Sequence, residues 1–310
     1  MNKHFDQKRR RLLKIMGGAG LAAATPLFSA NQKPTESITK PIPSSGERLP
    51  VIGLGTSRVF DVGRDVAELS KLREVVRILA SVENSMLDTS PMYGEAERVS
   101  GDLVETLAVR KQLFFATKVW TDGREEGIKQ MQESQRLLKS QIIDLMQIHN
   151  LVDWKTHIKT LRDWKEQGLI RHLGITHYNE SAHDAVVQVM KQTPLDFLQI
   201  NYSLAEPEAE NRVLPVAQDK GIAVIANRPF ARGALFRATQ GRSLPDWAVE
   251  IDCTSWAQFF LKFIVSHPAI TCAIPATSKA KHMLDNQAAG RGRLPDKKMR
   301  ERMQRLIATV

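Results

Sequence analysis

Short apolar runs alternate with amphipathic stretches along the chain from about residue 50 onward. Runs that are apolar on both faces are typical of parallel strands covered by helices. They predict eight strands, over residues 51–56, 85–90, 113–119, 144–150, 172–178, 195–203, 221–229 and 270–277. The apolar runs therefore indicate a parallel sheet that is buried on both sides.

The intervening stretches carry apolar residues at three- and four-residue spacings, which is the helical period. They predict helices over residues 64–82, 97–107, 124–140, 154–167, 181–192, 211–220, 244–266, 278–289 and 297–307. Eight β/α alternations favour the α/β class. We therefore expect a single-domain (β/α)8 TIM barrel over residues 49–310, close to the usual size of that fold.

The first 48 residues have a different composition and divide into a leader, residues 1–30, and a linker, residues 31–48. Residues 41–50 hold three prolines and show little periodicity, as expected for a connection between leader and barrel. No second folded domain is expected.

The leader carries a basic cluster, Arg9–Lys14, followed by a mildly apolar stretch over residues 17–24. This arrangement resembles a twin-arginine (Tat) signal, with Arg9 and Arg10 as the arginine pair. It implies export of the folded protein to the periplasm by the Tat machinery. The apolar stretch is too short for a stable membrane span. The alternative is an accidental basic tail on a cytoplasmic protein.

The charge of the chain is concentrated in this leader. The whole chain has a net charge of +10, and residues 1–30 contribute six cations and one acid to it. The remaining charge is moderate, and no zinc-knuckle, aromatic-stacking or helix-turn-helix pattern accompanies it. We therefore expect no nucleic-acid partner.

The two cysteines, Cys253 and Cys272, leave one disulfide possible in an oxidising compartment. Cys272 lies among apolar residues of the eighth predicted strand, which favours two buried, unpaired thiols. The chain has neither Cys-x-x-Cys nor His-x-His. We expect no metal site.

Four chemically active side chains stand at or just beyond the ends of three consecutive strands: Asp88, Tyr93, Lys118 and His149. The C-terminal ends of barrel strands converge on one mouth, so these groups are expected to meet there. Asp88 and Lys118 alone would equally suit a structural ion pair. The full set predicts an enzyme.

Their chemistry suits the reduction of a carbonyl group. A phenol titrates near 10 and is a weak acid, and a neighbouring ammonium lowers that pKa. We expect Lys118 to act on Tyr93 in this way, with Asp88 orienting Lys118. His149 would donate or relay a hydrogen bond to the substrate oxygen.

Several segments in the same order resemble motifs of the aldo-keto reductases. They are Val51-Ile52-Gly53-Leu54-Gly55-Thr56, Leu87-Asp88-Thr89-Ser90-Pro91-Met92-Tyr93-Gly94, Thr117-Lys118, Gln147-Ile148-His149 and Ile274-Pro275. The resemblance implies a barrel that reduces aldehydes or ketones with NADPH. It places the catalytic tetrad at Asp88, Tyr93, Lys118 and His149.

The resemblance also implies a set of cofactor-binding residues. They are Gly55, Thr56, Thr176, His177, Gln199, Arg228, Pro229, Phe230, Ala231, Ser278, Lys279, His282, Asp285 and Asn286. His282 stands where many relatives carry an arginine that binds the 2′-phosphate, so NADH is possible as well. Asn227 stands where many relatives stack an aromatic ring on the nicotinamide, so that stacking is expected to be absent.

The expected substrate pocket has an apolar rim made of Met92, Trp120, Leu151 and Trp154, suited to a hydrophobic carbonyl compound. The same residue types also serve as core or helix packing.

We expect a monomer or weak oligomer. An alternative function is that of a cofactor-binding barrel acting as a redox sensor or partner subunit, similar to the β-subunits of potassium channels.

Overall fold

The computed structural model describes residues 36–309, and the leader prediction for residues 1–30 lies outside that range. Eight parallel strands form one sheet. Their bounds are β3 Leu54–Gly55, β4 Ser85–Asp88, β5 Leu113–Val119, β6 Ile143–His149, β7 Ile170–Thr176, β8 Phe197–Asn201, β9 Ala223–Asn227 and β10 Ile270–Ala273. Each lies within or within two residues of a predicted strand.

The sheet closes on itself. Strands β3 to β10 pair in chain order, and single bridges join the first and last strands, from Ile52 to Ala273 and from Gly55 to Ala276. This closure confirms the predicted (β/α)8 barrel and brings the C-terminal ends of all eight strands to one mouth.

Helices surround the barrel between the strands. Their bounds are α1 Val66–Leu79, α2 Ala96–Leu107, α3 Arg124–Leu137, α4 Trp154–Glu166, α5 His183–Gln192, α6 Val213–Asp219, α7 Ala234–Ala238, α8 Trp256–Val265, α9 Ala280–Ala288 and α10 Lys297–Ile307. The sequence predicted α10 correctly to the residue. Asp296 begins it by accepting a hydrogen bond from the amide of Met299.

One predicted helix is two separate elements. Residues 244–266 form a 3-10 helix, Asp246–Ile251, and then α8. Asp252 adopts a left-handed conformation, with φ 52°, that ends the first element. The hydroxyl of Ser255 accepts a hydrogen bond from Gln258 N and starts α8. The helical period continues through both elements, so periodicity alone does not reveal the break.

The segment predicted as a linker contains a β-hairpin. Strands β1, Thr39–Pro41, and β2, Arg48–Pro50, pair in antiparallel fashion. Ile42 and Leu49 are fully buried, in one apolar cluster with residues at the starts of the barrel strands, such as Phe197. The hairpin therefore closes the N-terminal end of the barrel, opposite the mouth. The linker prediction was wrong there because three-residue strands carry too little periodicity to recognise.

One part of the hydrophobic core lies between the sheet and the surrounding helices, and the other fills the interior of the barrel.

Cys253 and Cys272 are both buried and unpaired, which confirms the expected thiol state. None of the helices between residues 36 and 309 has the length and apolar character needed to cross a membrane.

Candidate active site

An ion pair occupies the centre of the barrel mouth. Lys118, near the end of β5, lies 2.8 and 3.0 Å from the two carboxylate oxygens of Asp88, the last residue of β4. The Lys118 ammonium also donates to the carbonyl of Thr89 at 2.6 Å. Both charged side chains are almost completely buried, so each depends on the other for compensation.

Two amides complete the hydrogen bonding of Asp88. Gln199 and Gln147 donate to Asp88 Oδ2 at 2.8 and 3.3 Å, and Thr176 donates to Gln199 at 3.2 Å. Gln147 belongs to the Gln147-Ile148-His149 motif, but the sequence indicated no role for its side chain. Its place two residues before His149 on β6 puts it inside the barrel on the same face.

Tyr93 lies above this ion pair, in the turn between β4 and α2. Lys118 Nζ is 5.3 Å from the centroid of the Tyr93 ring. Burial raises the pKa of the Tyr93 hydroxyl, and the nearby Lys118 charge offsets that rise only in part. Lys118 thus acts in the expected direction, but burial outweighs it and the pKa of Tyr93 is raised overall. Tyr93 stays protonated at neutral pH, as a proton donor must.

Lys118 itself remains charged. Burial favours its neutral form, but the Asp88 carboxylate and its hydrogen bond, together with Tyr93, outweigh burial and raise the pKa of Lys118. The site therefore holds a permanent cation beside the phenol.

The turn that carries Tyr93 depends on Gly94. This residue has a φ of 58°, and a Cβ there would overlap the carboxylate of Asp61. Asp61 accepts a hydrogen bond from the amide of Glu95 at 3.0 Å. Only glycine combines this left-handed backbone with such a close approach.

His149 ends β6 and faces Tyr93. The two ring centroids are 6.1 Å apart and the rings are nearly perpendicular. Ser90 Oγ lies 3.1 Å from His149 Nδ1. Burial, reinforced by the charge of Lys118, lowers the pKa of His149 to about 3. The imidazole is therefore neutral at physiological pH. The four predicted catalytic residues thus meet at one place.

A cavity of about 690 Å³ opens above these residues, within the usual size range of cofactor and substrate pockets. The predicted site residues that line it are Gly55, Thr56, Asp88, Met92, Tyr93, His149, Thr176, Gln199, Arg228, Pro229 and Phe230. Ala231 is buried in the loop immediately beyond.

The lining also includes Arg58, Asp61 and Tyr178, which the sequence did not single out, and Arg232, which follows the predicted cofactor-binding residues 228–231. The Arg228 guanidinium lies 4.0 Å from the centroid of the Tyr178 ring, and that ring stacks on His177 at 5.6 Å. Arg58, Arg228 and Arg232 all have positive φ values. This backbone state is rare for arginine. Arg58 lies in the loop after β3, far along the chain from Arg228, and the two line one cavity only in the folded barrel.

The cavity suits a large, phosphate-bearing cofactor. The buried oxygens Thr56 Oγ1 and Asn227 Oδ1 have no protein hydrogen-bond partner, and both residues line the cavity. Three arginines contribute positive charge to the same wall. No cluster of three metal-ligating side chains occurs in the described part of the chain.

The sequence profile of the aldo/keto reductase family matches residues 51–306. The chain belongs to this family. Methylglyoxal reductase YeaE of Escherichia coli (strain K12) is 27% identical over 259 residues, which cover 80% of this chain and 88% of that protein. An uncharacterized oxidoreductase of Schizosaccharomyces pombe, C215.11c, is 30% identical over 259 residues, covering 77% and 81%.

Solved structures show the same fold. An aldo/keto reductase from Klebsiella pneumoniae in complex with NADP and acetate superposes with a TM-score of 0.72 at 23% identity, covering 84% of this chain and 93% of that one. The aldo-keto reductase of the same species in complex with NADPH gives a TM-score of 0.73 at 22% identity, covering 88% and 95%.

The five residues that the family resemblance assigns to the adenosine end lie apart from this cavity, in the turn after β10 and on α9: Ser278, Lys279, His282, Asp285 and Asn286. Asp285 accepts hydrogen bonds from Ser255 and Gln258, at 2.8 and 2.6 Å. Lys279 and His282 are exposed, whereas Asn286 is buried. Asp285 therefore helps to hold α9 against the start of α8 in this member of the aldo/keto reductases.

The predicted substrate rim divides into two groups. Met92 lines the cavity, whereas Trp120 lies outside its lining, with an exposed ring 6.3 Å from His149. Leu151 and Trp154 instead pack against the hydrophobic core and do not line the cavity. Leu151 has a φ of 59° in the turn after β6, and Trp154 is the first residue of α4.

Proposed function

We propose that this protein is an NADPH-dependent reductase that converts aldehydes or ketones to alcohols, with Tyr93 as the proton donor. The observation that carries the proposal is the convergence of a protonated phenol, a compensated ammonium and a neutral imidazole beneath one cavity. These groups come from three neighbouring strand ends of an aldo/keto reductase barrel.

The residues of the chain act on the carbonyl oxygen. A bound reduced nicotinamide supplies the hydride that the carbonyl carbon accepts. Tyr93 donates its hydroxyl proton to the oxygen, and the resulting phenolate is stabilised by the Lys118 ammonium until it takes a proton back from solvent. His149 fixes the oxygen by hydrogen bonding. The product is an alcohol.

The cofactor is proposed to be held by three groups of residues. Thr176 and Gln199, which line the cavity, and the neighbouring His177 would hold the nicotinamide end, and Gly55 and Thr56, which line the same cavity, would also contact the cofactor. The arginine-bearing loop at residues 228–231 suits the phosphates. Ser278, Lys279, His282, Asp285 and Asn286 are proposed for the adenosine end, where a helix N-terminus also favours phosphate. His282 in place of an arginine leaves NADH as a second possible cofactor.

The substrate class is proposed from the rim of the cavity and from the relatives. Met92 and Trp120 offer apolar contacts beside His149. Relatives from Escherichia coli and Salmonella bear the name methylglyoxal reductase. We therefore propose small aldehydes and ketones, including 2-oxoaldehydes, as the first compounds to test.

The test is NADPH oxidation by the purified protein with a panel of carbonyl compounds, beside Tyr93→Phe. Turnover that Tyr93→Phe abolishes supports the reductase. Tight NADPH binding without turnover on any carbonyl compound would favour the second candidate, a cofactor-binding sensor or partner subunit. Size-exclusion chromatography of the same sample tests the proposed monomer or weak oligomer.

The proposed location is the periplasm, reached by the twin-arginine route. This rests on the sequence around Arg9 and Arg10. Since that route carries folded proteins, the barrel would bind NADPH before export, and binding stabilises the fold. Residues 1–40 should export a reporter that is transported only when folded. Changing Arg9 and Arg10 to lysine should stop this, and no export of the unaltered fusion would favour a cytoplasmic enzyme.

A further inference from the structure

Ser90 connects the segment that carries Tyr93 to the imidazole of His149. Its hydroxyl lies 3.1 Å from His149 Nδ1, and both residues are buried. Its carbonyl separately accepts a hydrogen bond from Tyr93 N at 3.0 Å. Within residues 36–309, the Ser90 hydroxyl has no other hydrogen-bond partner. One residue thus contacts both the turn of the proton donor and the neighbouring ring.

The state of the His149 ring limits what this contact can do. The ring is neutral at physiological pH because burial lowers the pKa of His149 to about 3. In a neutral imidazole, one nitrogen donates a hydrogen bond and the other accepts one. Nδ1 is engaged by Ser90, and His149 lines the cavity, so Nε2 is the nitrogen available to a ligand.

A serine hydroxyl can donate or accept, so two arrangements fit the 3.1 Å distance. If Nδ1 donated to Ser90, Nε2 would present a lone pair to the substrate oxygen and repel it. If Ser90 donates to Nδ1, Nε2 carries the proton and donates to that oxygen. A carbonyl oxygen on its way to an alkoxide only accepts, and a donor prepared for it stabilises the growing charge.

We propose that Ser90 is a positioning residue that holds His149 in the Nε2–H tautomer, so that the imidazole donates a hydrogen bond to the substrate carbonyl. The proposal rests on the carbonyl reduction proposed above. Ser90 touches no reacting atom and acts through His149. Without the hydroxyl, both neutral tautomers become accessible, and only one of them assists the reaction.

The direct test is nuclear magnetic resonance of the ring nitrogens. The purified protein is labelled with ¹⁵N-histidine and studied at neutral pH with and without NADP⁺, and His149→Gln assigns the resonances. We expect the proton on Nε2 in the unaltered protein and a substantial Nδ1–H population in Ser90→Ala. A proton on Nδ1 in the unaltered protein overturns the proposal, as does an unchanged Nε2–H form in Ser90→Ala.

Kinetics provide the second readout. Ser90→Ala should lower kcat about tenfold, which corresponds to about 1.4 kcal/mol in the activation barrier, with little change in KM. Ser100→Ala is the matched control, because Ser100 is also fully buried and its hydroxyl has no partner in the described structure. It should leave kcat unchanged. An unaltered kcat in Ser90→Ala contradicts the proposal.

The two proposals fail in different ways. An unaltered protein that binds NADP⁺ and reduces no carbonyl compound contradicts the reductase function. The tautomer measurement needs no turnover and still decides the role of Ser90. Loss of the Nε2–H preference in Ser90→Ala would then show that Ser90 sets the tautomer of His149 even in a barrel that binds the cofactor and catalyses no carbonyl reduction.

Discussion

Lys118 Nζ lies within 3.0 Å of both carboxylate oxygens of Asp88, on adjacent strands and almost fully removed from water. Such a pair stabilises the fold only while it is intact, because each ion alone would be a buried, uncompensated charge. The same pair keeps Lys118 charged beneath Tyr93. Stability and the proposed proton transfer from Tyr93 therefore depend on one contact.

Replacing one partner of this pair should be costly. We expect Lys118→Met to lower the free energy of unfolding by about 3–5 kcal/mol, measured by urea denaturation, and to abolish carbonyl reduction. The double variant Lys118→Met/Asp88→Asn should recover part of the stability and none of the activity. Lys71→Met is the surface control, because the Lys71–Glu68 pair is exposed, and should change stability far less than Lys118→Met does. Equal losses of unfolding free energy in Lys118→Met and Lys71→Met would contradict this account.

Acid should destabilise the protein through buried histidines. Burial, with Arg300 nearby, lowers the pKa of His267 to about 4, below its ordinary value near 6.5. Between these values the unfolded chain binds a proton that the folded chain does not. Stability therefore rises with pH across this window and is lost as the pH falls from 6.5 towards 4.

Replacing His267 tests that argument. His267→Asn should flatten the pH dependence of the unfolding free energy between pH 4 and 6.5, by at most about 1.4 kcal/mol per pH unit for one proton. Urea denaturation at several pH values measures the slope. His149 should add to the slope in the same direction and extend it towards pH 3. Identical slopes in variant and unaltered protein would disprove the contribution of His267.

The hairpin at the N-terminal end should matter for folding and not for chemistry. Leu49 is fully buried, so Leu49→Ala should cost about 2–5 kcal/mol of unfolding free energy. Its kcat should stay unchanged, because Leu49 lies at the opposite end of the barrel from Tyr93. Val66→Ala is the control, since Val66 is largely exposed and should shift stability by less than about 0.5 kcal/mol. If Leu49→Ala lowers kcat under conditions in which the variant is fully folded, the two ends of the barrel are coupled.

The loop at Arg228 should contribute to cofactor binding. Arg228→Ala removes a cation from the cavity wall and its contact with the Tyr178 ring. We expect the Kd for NADPH, measured by fluorescence titration, to rise about tenfold, the equivalent of one charge-assisted hydrogen bond. Arg212→Ala, an exposed arginine paired with Asp184, should leave the Kd unchanged. An equal effect of both replacements would indicate only the loss of general positive charge.

Much of the barrel could be predicted because its signals are local. Strand β5 and helix α10 have the predicted bounds, since a covered strand and an amphipathic helix each show a short pattern of apolar positions that is set by what they pack against. The meeting of the proposed catalytic residues could be predicted for a related reason. Asp88, Lys118 and His149 stand at or near the C-terminal ends of their strands, and all the C-terminal strand ends of a closed parallel barrel face the same mouth.

The remainder depended on contacts between distant parts of the chain. The hydroxyl of Ser90 meets a ring 59 residues away, and Gln199 reaches Asp88 across 111 residues. The net direction of the pKa of Tyr93 likewise depends on how deeply the assembled barrel buries the phenol. The pattern of residues within a short segment gives no information on contacts between side chains so far apart in the chain.

By itself, the sequence determined the order of strands and helices, the barrel class and the identity of the four reactive side chains, because periodicity and strand-end position are properties of short segments. Only the tertiary structure decided that residues 39–50 close the barrel, that Leu151 and Trp154 face the core, and that Arg58 joins Arg228 at the mouth. These outcomes follow from packing and burial, which exist only once the sheet has closed.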